Sequence, residues 1–147
     1  MTITLKADVE GAQKFFTDFS KEVQRAVGRA VQATALETIT EVKRMIQRGP
    51  KTGRIYKRGK GRNLSREHQA SAPGEAPATD TGALVSSIYF ESSHPREATI
   101  GSRLAYAAYL EFGTQSIAPR PSWTPAVEKM TPKLADRVSR AISGAAK

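Results

Sequence analysis

The side chains in this sequence that are best suited to chemistry are cations. Ten basic residues lie between Lys43 and Arg66, and this stretch contains no acidic residue. The rest of the chain holds the other 13 of the 23 basic residues and all 14 acidic ones, so it is nearly neutral. Lysine and arginine bind phosphates and carboxylates, so the stretch predicts contact with a polyanion or an acidic protein surface. The candidate contact residues are Lys51, Arg54, Tyr56, Lys57, Arg58, Lys60, Arg62 and Arg66.

A competing interpretation of the basic stretch is a solvated loop whose charge only keeps the protein in solution. Against it, the positive charge is unbalanced, and Ile55-Tyr56 interrupts it with an apolar and an aromatic side chain. Unbalanced charge repels itself until an anionic partner neutralises it. We therefore favour an interaction loop that contacts phosphates without reading bases, because cations on a flexible loop cannot hold the geometry for base recognition.

Other chemistry has little support in the sequence. His68, Glu67, Glu75 and Asp80 could ligate a metal, but they lie in a Pro/Gly-rich loop without a recognised ligand spacing. No nucleophile elbow and no phosphate-binding glycine loop is present. We predict no cofactor, no metal and no catalysis.

Length and composition favour one domain over residues 1–147, with 50–82 as an extended interaction loop. A chain of 147 residues is long enough for a single modest core. It has no cysteine, hence no disulfide. No apolar run is long enough to cross a membrane and no signal-peptide pattern begins the chain, which favours a cytosolic protein without a membrane partner.

Periodicity predicts the elements that must position these residues. Thr2–Asp8 alternates like a half-buried strand. A helix of about 35 residues follows Gly11 and ends at Gly49-Pro50; at about 50 Å it would exceed the domain and pack partly on a neighbouring subunit. Its apolar stripe comprises Phe16, Phe19, Val23, Val27, Ala30, Thr34, Ala35, Ile39, Val42 and Ile46.

The second half of the chain predicts a hairpin and two helices. Leu84–Ser92 and Glu97–Ser102 form strands, with Asp80-Thr81 as an optional cap for a helical turn before them. Ala105–Phe112 forms a short helix that ends at Gly113. Thr124 caps a last helix with Pro125 at its first position, and Pro132 kinks or restarts that helix. The expected fold is α+β, a small antiparallel sheet covered by the long N-terminal helix and the C-terminal helix.

An aromatic cluster accompanies the short helix. Tyr109 and Phe112 are expected to pack in the core, whereas Trp123 fits the core and a subunit interface equally well. The complete candidate interface comprises Tyr106, Tyr109, Glu111, Phe112, Arg120 and Trp123.

Three blocks of the sequence resemble a known family. The first is Thr52–Tyr56 (TGRIY), and the second is Ala70–Gly82 (ASAPGEAPATDTG) with Leu84 and Ser87-Ile88 after it. The third is Tyr106–Thr114 (YAAYLEFGT), followed by Pro119-Arg120-Pro121 and Pro125-Ala126. In this order, over about residues 9–130, they resemble the neck or tail-completion proteins of long-tailed double-stranded DNA bacteriophages. Ser122 departs from the pattern, which often has an aromatic there.

The resemblance implies a virion structural protein, made in the cytoplasm of the host bacterium. It implies a ring at the head–tail junction, around the path of the genome, with six copies preferred and twelve as the alternative. The implied partners are head-closure or connector proteins, tail-terminator or tail-tube proteins, and the genome itself through non-specific contacts. A tail-terminator ring and a stand-alone basic nucleic-acid-binding protein are the alternative functions.

Overall fold

A computed structural model describes residues 1–6, 21–58 and 66–145 of the chain. The elements are β1 (Thr2–Lys6), α1 (Lys21–Arg48), β2 (Ile55–Arg58), β3 (Arg66–Gln69), α2 (Ala83–Ser86), β4 (Ile88–His94), β5 (Glu97–Ser102), α3 (Tyr106–Phe112) and α4 (Trp123–Ala145). The α+β prediction is therefore confirmed. The predicted positions Asp8, Phe16, Phe19, Lys60 and Arg62 lie outside the described residues.

The described residues form two compact units. Unit 1 comprises Met1, Glu41–Ile88 and Ser102–Ala126. Unit 2 comprises the described residues of Thr2–Thr40, Tyr89–Gly101 and Val127–Lys147. Unit 1 therefore contains all three blocks of the family resemblance.

The apolar stripe of α1 has the predicted periodicity. Steps of three and four residues keep side chains on one face of a helix, and every predicted stripe position from Val23 to Ile46 is buried. Thr34 and Thr38 also lie on this face; each hydroxyl donates to the carbonyl four residues earlier, at 2.8 Å, so neither buried hydroxyl lacks a partner. The helix ends where predicted, because Gly49 is its last hydrogen-bonded residue and Pro50 cannot continue it.

Unit 2 contains the larger sheet. Its strand order is β1-β5-β4, and β1 pairs antiparallel with β5 from Thr2 opposite Gly101 to Lys6 opposite Glu97. The central strand buries Ala98 and Ile100, which alternate along it and therefore face the same side. This confirms the predicted N-terminal strand and the Glu97–Ser102 strand.

Three local predictions need correction. Leu84–Ser87 is not the start of a strand, because Ala83–Ser86 forms one helical turn and β4 begins only at Ile88. The last helix begins at Trp123 rather than after a Thr124 cap. Pro132 lies inside this helix without a restart, and the Thr131 hydroxyl donates to the Val127 carbonyl of the same helix at 2.9 Å instead of capping a new one.

The segment 50–82, predicted as an extended interaction loop, contains paired strands. β2 and β3 form an antiparallel ladder from Ile55 opposite Gln69 to Arg58 opposite Arg66. Farther along the segment, Ser71 and Ala76 are buried at 3% and 6% exposure. Backbone pairing and local burial therefore order these residues of the interaction segment.

A close approach of backbones joins α1 to the β4–β5 turn within unit 2. A Cβ placed on Gly28 would lie 2.6 Å from the carbonyl oxygen of Pro95. Four residues along the helix, Gln32 Nε2 lies 3.4 Å from the Ser92 hydroxyl. Glycine at position 28 is therefore a requirement of packing. Helix α4 also contacts α1 within this unit, because Arg137 donates to the Thr34 hydroxyl at 3.1 Å and to Glu37 at 2.5 Å.

We expect Gly28→Ala to destabilise the protein. The clash with Pro95 costs more than the gain in helix propensity, so the net loss should be about 1–2 kcal/mol. Gly144→Ala is the matched control, because no described atom lies within 4 Å of the added methyl group. Urea denaturation followed by circular dichroism measures both, and a Gly28→Ala variant as stable as the wild type would contradict the packing contact.

Candidate assembly surface

Helix α3 has one buried and one exposed face. Ala107 and Glu111, four residues apart, are only 3% and 4% exposed. The opposite face carries Tyr106, Tyr109 and Phe112, which are 42%, 57% and 68% exposed and are called the aromatic stripe below. At 100° per residue these three side chains span about 120° of the helix surface, centred opposite the buried face.

The buried Glu111 caps the start of α4. Its Oε2 accepts the backbone N–H groups of Ser122 at 2.8 Å and Trp123 at 3.0 Å, and its Oε1 accepts that of Thr124 at 2.7 Å. The first four N–H groups of a helix lack partners within the helix. Three of the four are bound here, and the fourth position is Pro125, which has no N–H. The carboxylate also carries the charge that a helix N-terminus favours.

A tight reversal of the chain brings these groups together. Gly113 ends α3 with a φ of 75°, and a Cβ there would lie 2.7 Å from the carbonyl oxygen of Ile117. The Thr114 N–H donates to this carbonyl at 2.8 Å. The Arg120 N–H then donates to the Leu110 carbonyl at 2.6 Å. The segment therefore folds back along α3.

Arg120 contacts the second block of the family resemblance. Its Nε donates to the backbone carbonyl of Ser71 at 3.2 Å. Next to it, the Gly74 N–H donates to the Pro119 carbonyl at 2.9 Å. These two contacts attach the second block of the family resemblance to the third.

Glu75 attaches the second block to the first, and the three hydrogen bonds that its carboxylate accepts are called the Glu75 clamp below. Its Oε1 accepts the Thr52 hydroxyl at 2.5 Å, and its Oε2 accepts the backbone N–H groups of Thr52 at 3.0 Å and Ala72 at 2.8 Å. The hydrogen bond from the Thr52 hydroxyl stabilises the ionised carboxylate most, and those from the two N–H groups add to it. Together they hold the pKa of Glu75 below its ordinary value. A Cβ on the adjacent Gly53 would lie 2.6 Å from the Ser71 carbonyl oxygen, so this position also needs glycine.

The strands β2 and β3, with Arg54 before them, form what we call the basic ladder. Ile55 and Tyr56 are 54% and 48% exposed, and Lys57 is exposed as well. The Arg54 guanidinium lies 5.5 Å from the centroid of the Tyr56 ring, within the range of a cation–π contact. Cations, one aromatic ring and one aliphatic side chain are thus presented on an extended backbone.

A groove of about 370 Å³ lies beside the ladder within unit 1. His68, Asp80, Tyr106 and Arg120 are among its lining residues, and His68 Nδ1 lies 3.9 Å from Asp80 Oδ1. Over residues 1–6, 21–58 and 66–145, no three His, Asp or Glu side chains come together in a way that could hold a metal ion. No helix of this part of the chain is long and apolar enough to cross a membrane.

The structure separates the predicted interface residues into two groups. Tyr109 and Phe112 are exposed, so the prediction that they pack in the core is wrong. Trp123 is 1% exposed and Glu111 is 4% exposed, so both are internal residues of the subunit rather than surface residues. Sequence reasoning missed the capping role of Glu111 and the clamp at Glu75. For Glu111, the available signal was its position as the one acidic residue among the aromatic and apolar residues of YAAYLEF.

Comparison with known proteins identifies the family. Residues 10–113 match the profile of the family named HK97-gp10_like, described as "Bacteriophage HK97-gp10, putative tail-component". The chain belongs to the HK97-gp10-like family. No curated protein and no solved structure gives a significant match.

Membership in the HK97-gp10-like family agrees with the resemblance to neck and tail-completion proteins. It supports a structural role in the phage tail and a place in the virion. The match includes the basic ladder, the Glu75 clamp and all of α3, and it ends at Gly113. The polar contacts described above therefore connect the part of unit 1 inside the match with the start of α4 outside it.

We expect Glu111→Gln to destabilise the protein by about 2–3 kcal/mol. The amide has one acceptor oxygen, so its NH₂ group would face a backbone N–H and leave a buried donor unsatisfied. Glu128→Gln, at an exposed position on α4, is the control and should change stability by less than about 0.5 kcal/mol. Equal denaturation midpoints for Glu111→Gln and the wild type would show that the cap contributes nothing.

We expect the Glu75 clamp to give a stability contribution that depends on pH. Because the folded pKa is lowered, the contribution is complete above the ordinary glutamate pKa of about 4.3 and is lost as pH falls through the lower folded value. Wild type should therefore exceed Glu75→Gln in melting temperature at pH 6, and the difference should shrink as the pH falls toward 3. A difference that stays constant over this range would contradict the clamp.

Proposed function

We propose that this protein is a ring-forming subunit of the phage neck, which joins the capsid connector to the tail around the DNA channel. Its partners would be copies of itself, a head-closure or connector protein on one side, and a tail-terminator or tail-tube protein on the other. Six copies is the preferred number and twelve the alternative. The chain would act as one domain, with residues 50–82 as its interaction segment.

The observation that carries the proposal is the aromatic stripe on α3. Large aromatic side chains that remain exposed on a short, fixed helix are typical of protein interfaces. The Glu111 cap and the Gly113 reversal fix the C-terminal end of this helix, so the stripe is preorganised. Preorganisation lowers the entropic cost of association.

A ring requires two different surfaces on each subunit, because head-to-tail contacts close around an axis whereas self-complementary contacts give a dimer. The basic ladder supplies the second surface. A two-stranded ladder is only marginally stable in water, so it gains from packing against a neighbour. Ile55 and Tyr56 provide apolar area for Tyr109 and Phe112, and Arg54 and Lys57 can lie over aromatic rings. We propose that the stripe of one subunit receives the ladder of the next.

The tail-terminator ring is the second candidate, since it would use the same two surfaces. Position in the particle distinguishes the candidates: a neck ring contacts the connector, and a terminator ring contacts the end of the tail tube. Cryo-EM of the intact particle resolves the position and the copy number. A single copy or a two-fold dimer in the particle would overturn both.

We expect Tyr109→Ser/Phe112→Ser to reduce the yield of tailed particles by at least about tenfold in a complementation assay. Interface hot spots, in which aromatic residues such as Tyr are enriched, contribute at least about 2 kcal/mol each. Ile55→Ser/Tyr56→Ser, on the opposing surface, should give the same defect. Leu36→Ser is the matched control. Leu36 is similarly exposed, at 51%, but it belongs to unit 2 and to neither of the two proposed surfaces.

Purified variants must melt close to the wild type for this comparison to report on assembly. Wild-type yields of tailed particles from the stripe variant would remove the aromatic stripe from the interface. Wild-type yields from the ladder variant alone would leave the stripe in place but assign it a different partner surface.

A further inference from the structure

Unit 2 contains a cationic cleft that is separate from the basic ladder. The cleft has a volume of about 510 Å³ and lies between the first described turns of α1 and the last turns of α4. Its cationic lining residues are Arg25 and Arg29 from α1 and Arg140 from α4. Glu22 is the acidic residue in the lining, so the described lining carries a net positive charge.

The construction of the cleft leaves room for a ligand. Ala26, Ala141 and Gly144 are the remaining lining residues, and their small side chains leave the space between the arginines open. Arg25 and Arg29 are four residues apart, so they project from the same side of α1. Asp136 forms an ion pair with Arg140 from the preceding turn of α4. The guanidinium groups are therefore carried on helices rather than on a loop.

We propose that this cleft binds phosphate groups of the nucleic-acid backbone, independently of base sequence. Guanidinium groups bind phosphate oxygens in pairs of parallel hydrogen bonds, and arginine is favoured over lysine for this geometry. The proposal stands on the cleft itself and does not require the ring arrangement. It assigns a second anion site to a chain in which the sequence indicated only the stretch from Lys43 to Arg66.

The charge distribution favours a nucleic acid over a second copy of this chain. Most acidic side chains that the structure describes are already engaged: Glu37 with Arg137, Glu41 with Arg44, Glu97 with Lys6, Asp136 with Arg140, Glu75 in its clamp and Glu111 at its cap. More than half of the acidic side chains in the described part of a second copy are therefore unavailable without breaking such a contact. Each unit, in addition, has its own cationic surface, which suits a partner with regularly repeated negative charge better than one with a single acidic patch.

The test measures binding of the full-length protein to two DNA duplexes of unrelated sequence over a range of salt concentrations. Arg25→Gln/Arg29→Gln should weaken binding to both duplexes equally, by about tenfold at moderate salt. The slope of log K against log salt should fall by about 1.8, since each phosphate contact contributes about 0.9. Glutamine is also a good helix former, so α1 should be retained.

Two further variants separate the cleft from general charge. Lys21→Gln/Lys133→Gln removes two exposed charges from the same helices outside the cleft lining, and it should have the smaller effect. Ala141→Leu fills the cleft without changing charge, and it should weaken binding if its melting temperature stays near that of the wild type. Loss in the lysine variant equal to that in the arginine variant, or unchanged binding in a folded Ala141→Leu protein, would overturn the proposal.

A competition experiment tests the class of ligand. At equal charge, polyglutamate should displace the duplex less effectively than unlabelled DNA does. Equal displacement would assign the cleft to acidic protein segments and overturn the nucleic-acid proposal, as would failure of the wild-type protein to bind either duplex. Failure here leaves the ring proposal untouched, because that proposal is tested through the aromatic stripe and the basic ladder.

Discussion

The three hydrogen bonds that the Glu111 carboxylate accepts from backbone N–H groups are the interaction on which the organisation of unit 1 depends. The carboxylate accepts the N–H groups at the start of α4 that have no partner within the helix, so that helix needs no capping side chain of its own. The remaining position is Pro125, which has no N–H to donate. A buried carboxylate is stable only when its hydrogen-bonding capacity is used, so α3 must present Glu111 inward. Helical geometry then forces Tyr109 and Phe112 outward. The exposure of the aromatic stripe is thus a consequence of the cap, and the residue that stabilises the fold also orients the candidate interface.

The Glu75 clamp orders a Pro/Gly-rich segment that contains few apolar side chains. Ordering costs roughly 1–2 kcal/mol of backbone entropy per residue. The segment uses side-chain carboxylate and backbone carbonyl groups as acceptors, at Glu75, Ser71 and Pro119. Gly53 allows two backbones to approach, and Gly74 supplies a turn with a positive φ of 83°. The family blocks that are distant in sequence therefore meet through polar contacts.

Sequence periodicity predicted the elements whose stability is local or depends on one apolar face. The stripe of α1, the Glu97–Ser102 strand and the end of α3 at Gly113 all follow from spacing and from backbone rules that act within a few residues. The failures share a different cause. Glu111 acts on residues 11 to 13 positions away, and Thr52 meets Glu75 across 23 positions, distances over which periodicity carries no information. Tyr109 and Phe112 were assigned to the core by residue type, but the burial of Ala107 and Glu111 on the other face decides their position. Leu84–Ser87 has the composition of a strand, yet the left-handed Gly82 at its start leads into a helical turn.

An exposed aromatic stripe raises the question of how the free protein avoids self-association before it meets its partners. The net charge of +9 supplies a physical answer, because copies of equal sign repel one another at distances up to about the Debye length of 8–10 Å. Neutralisation of cationic residues outside the ladder by an anionic neighbour would remove part of this repulsion, and the stripe of the next copy could then come within contact range of the ladder. Under the proposed arrangement, assembly would then depend on the neighbour rather than on concentration alone. Charge and aromatic area would act in sequence, the first delaying contact between subunits and the second stabilising it once the partner is in place.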